Sequence, residues 1–326
     1  MYIVERITAN VVNILAVQQI RGIGAAWVAK HIKGGESCGL IVDMVNHTCK
    51  SKVVSVQAFT ARRERVLRML ERESASFDSA MAFCDADWSH FTANVRGAQQ
   101  PLILFCRGNA DLLRGICTNV AVIGTQAPES DSVEFEHNLV ERLSRCGVCI
   151  VSGLAYGCDA VAHSTAVDNG APTIAFLPSQ LSNIMPVGNR DLAEQIVANG
   201  GLLVSEYYNE PENRYDLNGR YAERDRLQAM FSGAVVLASG FEKKDGYAAG
   251  SRLAMRYANE FGRLRAVVYD EALHSVRKDF GLNKELASSD SSVITIDSQN
   301  VDAAIERILR ACHKNIGTPQ QLEMPL

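Results

Sequence analysis

From Asn119 to Tyr269 the chain alternates short apolar runs with stretches of helical period, and this alternation limits its fold more tightly than any other feature. The runs at residues 120–124, 148–152, 173–177, 202–205, 234–238 and 265–269 are only four or five residues long, which suits strands rather than helices. They are apolar at successive positions, so both faces of such strands must be covered. Amphipathic segments near 133–144, 159–168, 189–199, 220–231 and 249–261 supply the cover. The spacing predicts an α/β fold with a doubly wound, mostly parallel sheet. Two glycine-marked loops, Gly124-Thr125-Gln126 and Ser152-Gly153-Leu154-Ala155-Tyr156-Gly157, follow the first two of these strands. Ligands of doubly wound sheets bind beyond the carboxyl ends of strands where strand order reverses, so both loops are expected at the binding edge.

Ahead of this region the pattern is helical. Val11, Val12, Ile14 and Leu15 precede Ile20-Arg21-Gly22-Ile23-Gly24, and Trp27, Val28, His31 and Ile32 follow. This predicts two short helices joined by a Gly-x-Gly turn, a pattern that looks like a helix-hairpin-helix, whose backbone N–H groups can face a nucleic-acid phosphate. A packing role for the hairpin is an equal alternative. A further helix is expected from about residue 59 to 74, carrying Arg62, Arg63, Arg65, Arg68 and Arg72. Formal net charge is −4, yet residues 21–72 hold ten basic against four acidic side chains, so this module is +6 on a body of −10. Such asymmetry suits a module that touches phosphates, with Gly22, Gly24, Lys30, Arg62 and Arg65 as its candidate contacts. A solvated helix face explains it equally well. The implied division is a helical module at 1–75, an α/β domain at 76–300, and a C-terminal helix and tail at 301–326 without a winged helix.

Hydrophobic residues at 47% and charged residues at 21% exclude a disordered chain or a coiled-coil rod. No run of about 18 apolar residues occurs, so a cytoplasmic protein without membrane contact is expected. Nine scattered cysteines read as reduced thiols; Cys146-x-x-Cys149 places Cys149 in an apolar strand, unlike a redox pair. No metal site, catalytic residue or cofactor is expected: a GxGxxG fingerprint and a nucleophile-elbow string are missing.

The ordered series Ala121-Val122-Ile123-Gly124-Thr125, Val151 to His163 (Val-Ser-Gly-Leu-Ala-Tyr-Gly-Cys-Asp-Ala-Val-Ala-His), Pro172 to Leu177, Pro186-Val187-Gly188-Asn189, Leu202 to Tyr207, Arg224-Asp225-Arg226 to Gly233 and Glu260 to Arg263 resembles the DNA-processing protein DprA (Smf) family. The Ser-Gly-Leu-Ala-x-Gly-x-Asp-x-x-x-His string is its most specific element, and the likeness covers roughly residues 10–270. The resemblance implies an extended Rossmann domain of the SLOG superfamily with an N-terminal helix-hairpin-helix (SAM-like) domain. It further implies single-stranded DNA as ligand, a RecA-type recombinase as partner, homodimerisation, and recombination mediation during DNA uptake in natural transformation, without established catalysis. The implied phosphate-binding positions are Gly124, Thr125, Gln126, Ser152, Gly153, Leu154, Gly157, Asp159 and Asn189, with Arg224 and Arg226 near a helix start. Lys243, Lys244 and Arg252 are candidates to compensate for basic groups lost from the family pattern, a solvated loop being the alternative for the two lysines.

Departures from the family pattern set up a competing expectation. Gln126 stands where the family usually has arginine, Val187 where many relatives have lysine, and Asp225 where they have asparagine. The loop at 243–251 and the stretch Val268-Tyr269-Asp270 also differ. Loss of basic groups weakens counterion-release binding. The alternative is therefore a nucleotide sensor or nucleotide hydrolase of SLOG type, with bacterial defence as a setting it would suit, although the phosphoribohydrolase loop with its glutamate is missing. Within the second loop, Asp159 and His163 at i and i+4 are expected to act architecturally, with His163 orienting the loop.

Overall fold

The computed structural model describes residues 7–48, 53–86, 88, 92, 95–242 and 250–315. In chain order it begins with helices α1 (Ala9–Gln18), α2 (Ala25–His31), α3 (Cys38–Thr48) and α4 (Val56–Arg72), then strands β1 (Ser79–Ala82), β2 (Ile103–Gly108) and β3 (Thr118–Ile123). Next come α5 (Ser130–Arg145), β4 (Val148–Ser152), α6 (Cys158–Asp168), β5 (Thr173–Leu177), α7 (Arg190–Ala198), β6 (Leu202–Ser205) and α8 (Arg214–Met230). The chain closes with β7 (Ala234–Leu237), α9 (Gly250–Glu260), β8 (Leu264–Val268), α10 (Glu271–His274), α11 (Gly281–Ser289), β9 (Ile294–Ile296) and α12 (Val301–Asn315). It packs into two compact units, residues 1–114 with 176–224 and residues 115–175 with 225–326. The fold is α/β, and five of its seven described strand pairings are parallel.

In the first unit α1 is the buried helix: Val11, Val12, Ile14, Leu15 and Val17 are all sequestered, and Thr8 caps its start by accepting from the Val11 N–H. The expected hairpin follows, with Gly22 at φ 91° in the turn and Gly24 extended ahead of α2. Ser55 caps α4 in the same way, accepting from the Ala58 N–H, and α4 buries Phe59, Val66 and Leu70 while most of its arginines stay at the surface. An N-cap of this kind is worth about 1 kcal/mol, enough to set where the helix begins. Strand β2 pairs antiparallel with β1 and with β6. Neither α3 nor β1 is foreseen by the pattern. α3 holds only Ile41, Val42 and Val45 as buried apolar residues, and β1 is Ser-Ala-Met-Ala, without a β-branched residue.

The second unit carries six strands in the order β5-β4-β3-β7-β8-β9, all parallel. β4 and β7, the strands on either side of β3, are buried at every residue, as strands covered on both faces must be. β3 leads outward through α5 to β4 and through α6 to β5, whereas β7, β8 and β9 extend from its other side. The order therefore reverses between β3 and β7. α12 packs against β3, β7, β8 and β9 and buries Ile305, Ile308 and Cys312. The described cysteines are all free, with Cys149 buried and Cys146 exposed. Among the described residues no helix is long and apolar enough to cross a membrane.

Candidate functional site

Where β3 and β7 diverge, the loops following them and β4 come together in the second unit. The Thr125 N–H donates to Ser239 O (2.9 Å), tying the loop after β3 to the one after β7, and the Cys158 N–H donates to Thr125 O (3.0 Å), tying it to the start of α6. Two glycines permit this contact. A Cβ on Gly124 would lie 2.4 Å from Cys158 Sγ, and one on Gly157 would lie 2.4 Å from Thr125 O, with Gly157 also at φ 72°. Inside the second loop Leu154 takes φ 59°. That costs a leucine ~1–2 kcal/mol, and complete burial of its side chain, worth ~1.5–3 kcal/mol, offsets it. Among the described residues nothing accepts from the N–H groups of Gln126, Tyr156 and Gly157, which lie on backbone in mutual contact. The loops thus form a backbone cradle of donors at a helix start, a geometry suited to an anion.

Beneath the cradle the polar side chains face inward. The Asp159 carboxylate is 5% exposed and accepts from the Ala155 N–H (3.2 Å), so it braces the loop from within. Ser152 Oγ donates to Val122 O (2.7 Å). Thr173 Oγ1 donates its single proton to Ile150 O (2.8 Å) and therefore accepts from His163 Nδ1 (2.7 Å), which fixes the ring tautomer. This bond anchors His163 to strands β4 and β5. Glu136 of α5 is 1% exposed, and burial, then the Asp159 charge, pushes its carboxyl well above the usual carboxylate range. Neither of its carboxyl oxygens has a hydrogen-bond partner among the described residues. Burial and the nearby Glu136 push the Cys158 thiol far up in turn, so Cys158 is no nucleophile. Among the described residues no group of His, Cys, Asp and Glu could hold a metal ion.

A family model described as DNA recombination-mediator protein A matches residues 79–300. The chain belongs to that family. Protein Smf of Synechocystis is 29% identical over 76% of this chain and 62% of its own length. DNA processing protein DprA of Streptococcus pneumoniae is 32% identical over 50% of this chain and 54% of its own. The chain thus spans only part of the length of these relatives. The X-ray structure of the pneumococcal protein shares the fold, at a TM-score of 0.64 and 23% identity, over 89% of this chain and 92% of that one. DNA processing protein A of Helicobacter pylori, whose structure describes a single-stranded DNA binding mode, aligns at 0.57 and 26% identity over 68% of this chain and 93% of that one.

Within the family frame the basic candidates fare differently from the loops. Arg224 and Arg226 lie well inside α8 rather than at a helix start, 9% and 5% exposed, with the Arg224 guanidinium 5.5 Å from the Tyr221 ring centroid. Arg252 is held in a two-pronged pair by Glu285 (2.5 and 2.6 Å), so it is no spare base for the cradle. Lys243 and Lys244 lie outside the described residues. Asp225 is 4% exposed, accepts from Gln228 Nε2 (3.3 Å), and has its Oδ2 3.0 Å from where a Cβ on Gly250 would stand. A buried carboxylate at the start of α9 meets the positive end of that helix, which accounts for an acid there. In the first unit, Asn189 is 9% exposed ahead of α7 and Val187 is exposed.

The module's candidates are at the surface. Gly22, Gly24, Lys30 and Arg65 are exposed, and Arg62 donates to Gln19 O (3.4 Å), which brings it to the hairpin turn. Glu136 escapes sequence reading, although one signal exists: it occupies the apolar stripe of α5 with Leu139, Val140 and Leu143.

Proposed function

We propose that this protein binds single-stranded DNA, taking a backbone phosphate in the cradle formed by residues 124–126 and 153–157, and that it serves as a recombination mediator. The observation that carries the reading is the cradle itself: unpartnered N–H groups on glycine-locked loops at the strand-order reversal, in a chain of this family. Thr125, Gly153 and Gly157 supply the close backbone approach, Ser152, Leu154 and Asp159 hold it in shape, and Gln126 lines its rim. The exposed basic residues of the helical module, Lys30 and Arg65 with Arg62, add phosphate contacts that the uncharged cradle lacks. Loading of a RecA-type recombinase, homodimerisation, a role in natural transformation and a cytoplasmic setting complete the proposal on family resemblance.

Fluorescence anisotropy of a labelled single strand of ~20 nucleotides, with duplex as control and at several salt concentrations, tests it. Preference for the single strand with a steep loss of affinity as salt rises is the expected result. Weak binding without strand preference overturns it. A second reading, a nucleotide-sensing site, draws on the absence of any basic side chain in residues 124–126 and 153–157. It predicts a thermal shift with a mono-, di- or cyclic nucleotide, amounting to ~2.7 kcal/mol at a hundred times the Kd.

A further inference from the structure

The loop after β4 hides nearly everything it carries. Ser152, Gly153, Leu154, Ala155, Cys158 and Asp159 are buried, and Tyr156 between them is 48% exposed. Among the described residues its ring stacks on no aromatic or guanidinium and its hydroxyl makes no hydrogen bond. Its backbone is nevertheless fixed from both sides. Ala155 is bonded to Asp159, Cys158 to Thr125 O, and Gly157 is pressed against Thr125 and Gln126. A large aromatic ring on a backbone held by these contacts, beside unpartnered donor groups, has only its own two side-chain rotations to order when a base stacks on it.

We infer that Tyr156 is a stacking platform for the nucleobase attached to the phosphate held in the cradle. The inference rests on the strand-binding reading and adds to it the part of the ligand, the base, that gives single strands their advantage over duplex. The chemistry fits the loop's composition. Gln126 and the other residues of the two loops offer no charge, so affinity at this edge must come from neutral contacts, and every base has a face on which an aromatic ring can stack. Bases within a duplex are already stacked and paired, so the platform would be closed to them. The rigid position also specifies a geometry, with one base stacked per cradled phosphate.

The experiment compares the full chain with Tyr156→Phe and Tyr156→Ala on a labelled 20-mer of thymidine and on an abasic strand of equal length. Circular dichroism and thermal melting check that all three proteins are folded. The expected result is a loss of about tenfold for Tyr156→Ala on the thymidine strand, no change for Tyr156→Phe, and no change for either on the abasic strand. The salt slope should stay the same, because no phosphate contact is removed. Equal losses on both strands, or a Tyr156→Ala affinity within twofold of the parent, overturn the stacking role. The same holds if Tyr156→Phe falls as far as Tyr156→Ala, which would place the contact at the hydroxyl and favour a protein or sugar partner. A parent protein that binds neither strand overturns the strand-binding reading itself, and the stacking role with it.

Discussion

The loops at residues 124–126 and 153–157 and the helical module at residues 9–72 differ in what they offer an anion. The loops present backbone N–H groups, locked in place by Gly124 and Gly157 and braced by buried Ser152 and Asp159, with no basic side chain. The module presents exposed cations, Lys30 on α2 and Arg65 on α4, helices held by burial of Val28 and of Phe59, Val66 and Leu70 respectively. Preorganised dipoles give geometry and discrimination; exposed charges give long-range attraction that salt screens. The two regions should therefore respond to different perturbations, and the contrast can be attacked from each side.

The largest effect is expected at Gly157. Alanine there must hold a positive φ and place a Cβ 2.4 Å from Thr125 O, so Gly157→Ala should cost about 3 kcal/mol in urea unfolding and abolish binding at the cradle. Retention of full affinity would show that the loops do not hold the ligand. Glu136 comes next. Folding raises its pKa, so the folded state keeps a proton that the unfolded chain releases above the ordinary value of 4.5. Its contribution to stability therefore falls as pH rises from that value. Glu136→Gln should melt higher than the parent at pH 8, by roughly 1–3 kcal/mol, and converge with it near pH 4; the same difference at both pH values would break the account.

The smallest effects concern charge. Lys30→Glu and Arg65→Glu should each weaken strand binding several-fold and lower the salt slope by about one, if each meets one phosphate. Arg252→Ala, which removes the partly exposed pair with Glu285, should leave affinity unchanged and alter stability by less than ~1 kcal/mol. A loss of binding in Arg252→Ala larger than in Lys30→Glu would invert the comparison, moving the electrostatics to the loops.

Much of this was readable in the sequence. The runs at 148–152, 173–177 and 202–205 became β4, β5 and β6 with the same bounds, because strands covered on both faces leave an unbroken apolar signature. The hairpin at α1 and α2 followed from glycine spacing, and the loops after β3 and β4 from glycine clusters at strand ends. What escaped had weak local pattern: β1 is made of small residues, and α3 buries only three apolar side chains. The amphipathic segment near 220–231 is only the end of α8, which extends upstream through the polar segment from Arg214 and so sets Arg224 and Arg226 well inside the helix. Nothing in that segment's composition announces a helix.

The sequence by itself determined the layer architecture, the family and the two glycine-marked loops beyond β3 and β4, since each depends on contacts between residues close in the chain or on the one residue type that tolerates a positive φ. Tertiary structure alone decided which charges remain available. Arg252 is consumed by Glu285, 33 residues away, and Asp225 is drawn to the first residue of α9. Glu136 is sealed against Cys158 and kept protonated by burial, while Tyr156 alone of its loop is left facing water. The free energy of a charge or a ring depends on what surrounds it in space, and periodicity along the chain records only which side of an element turns inward.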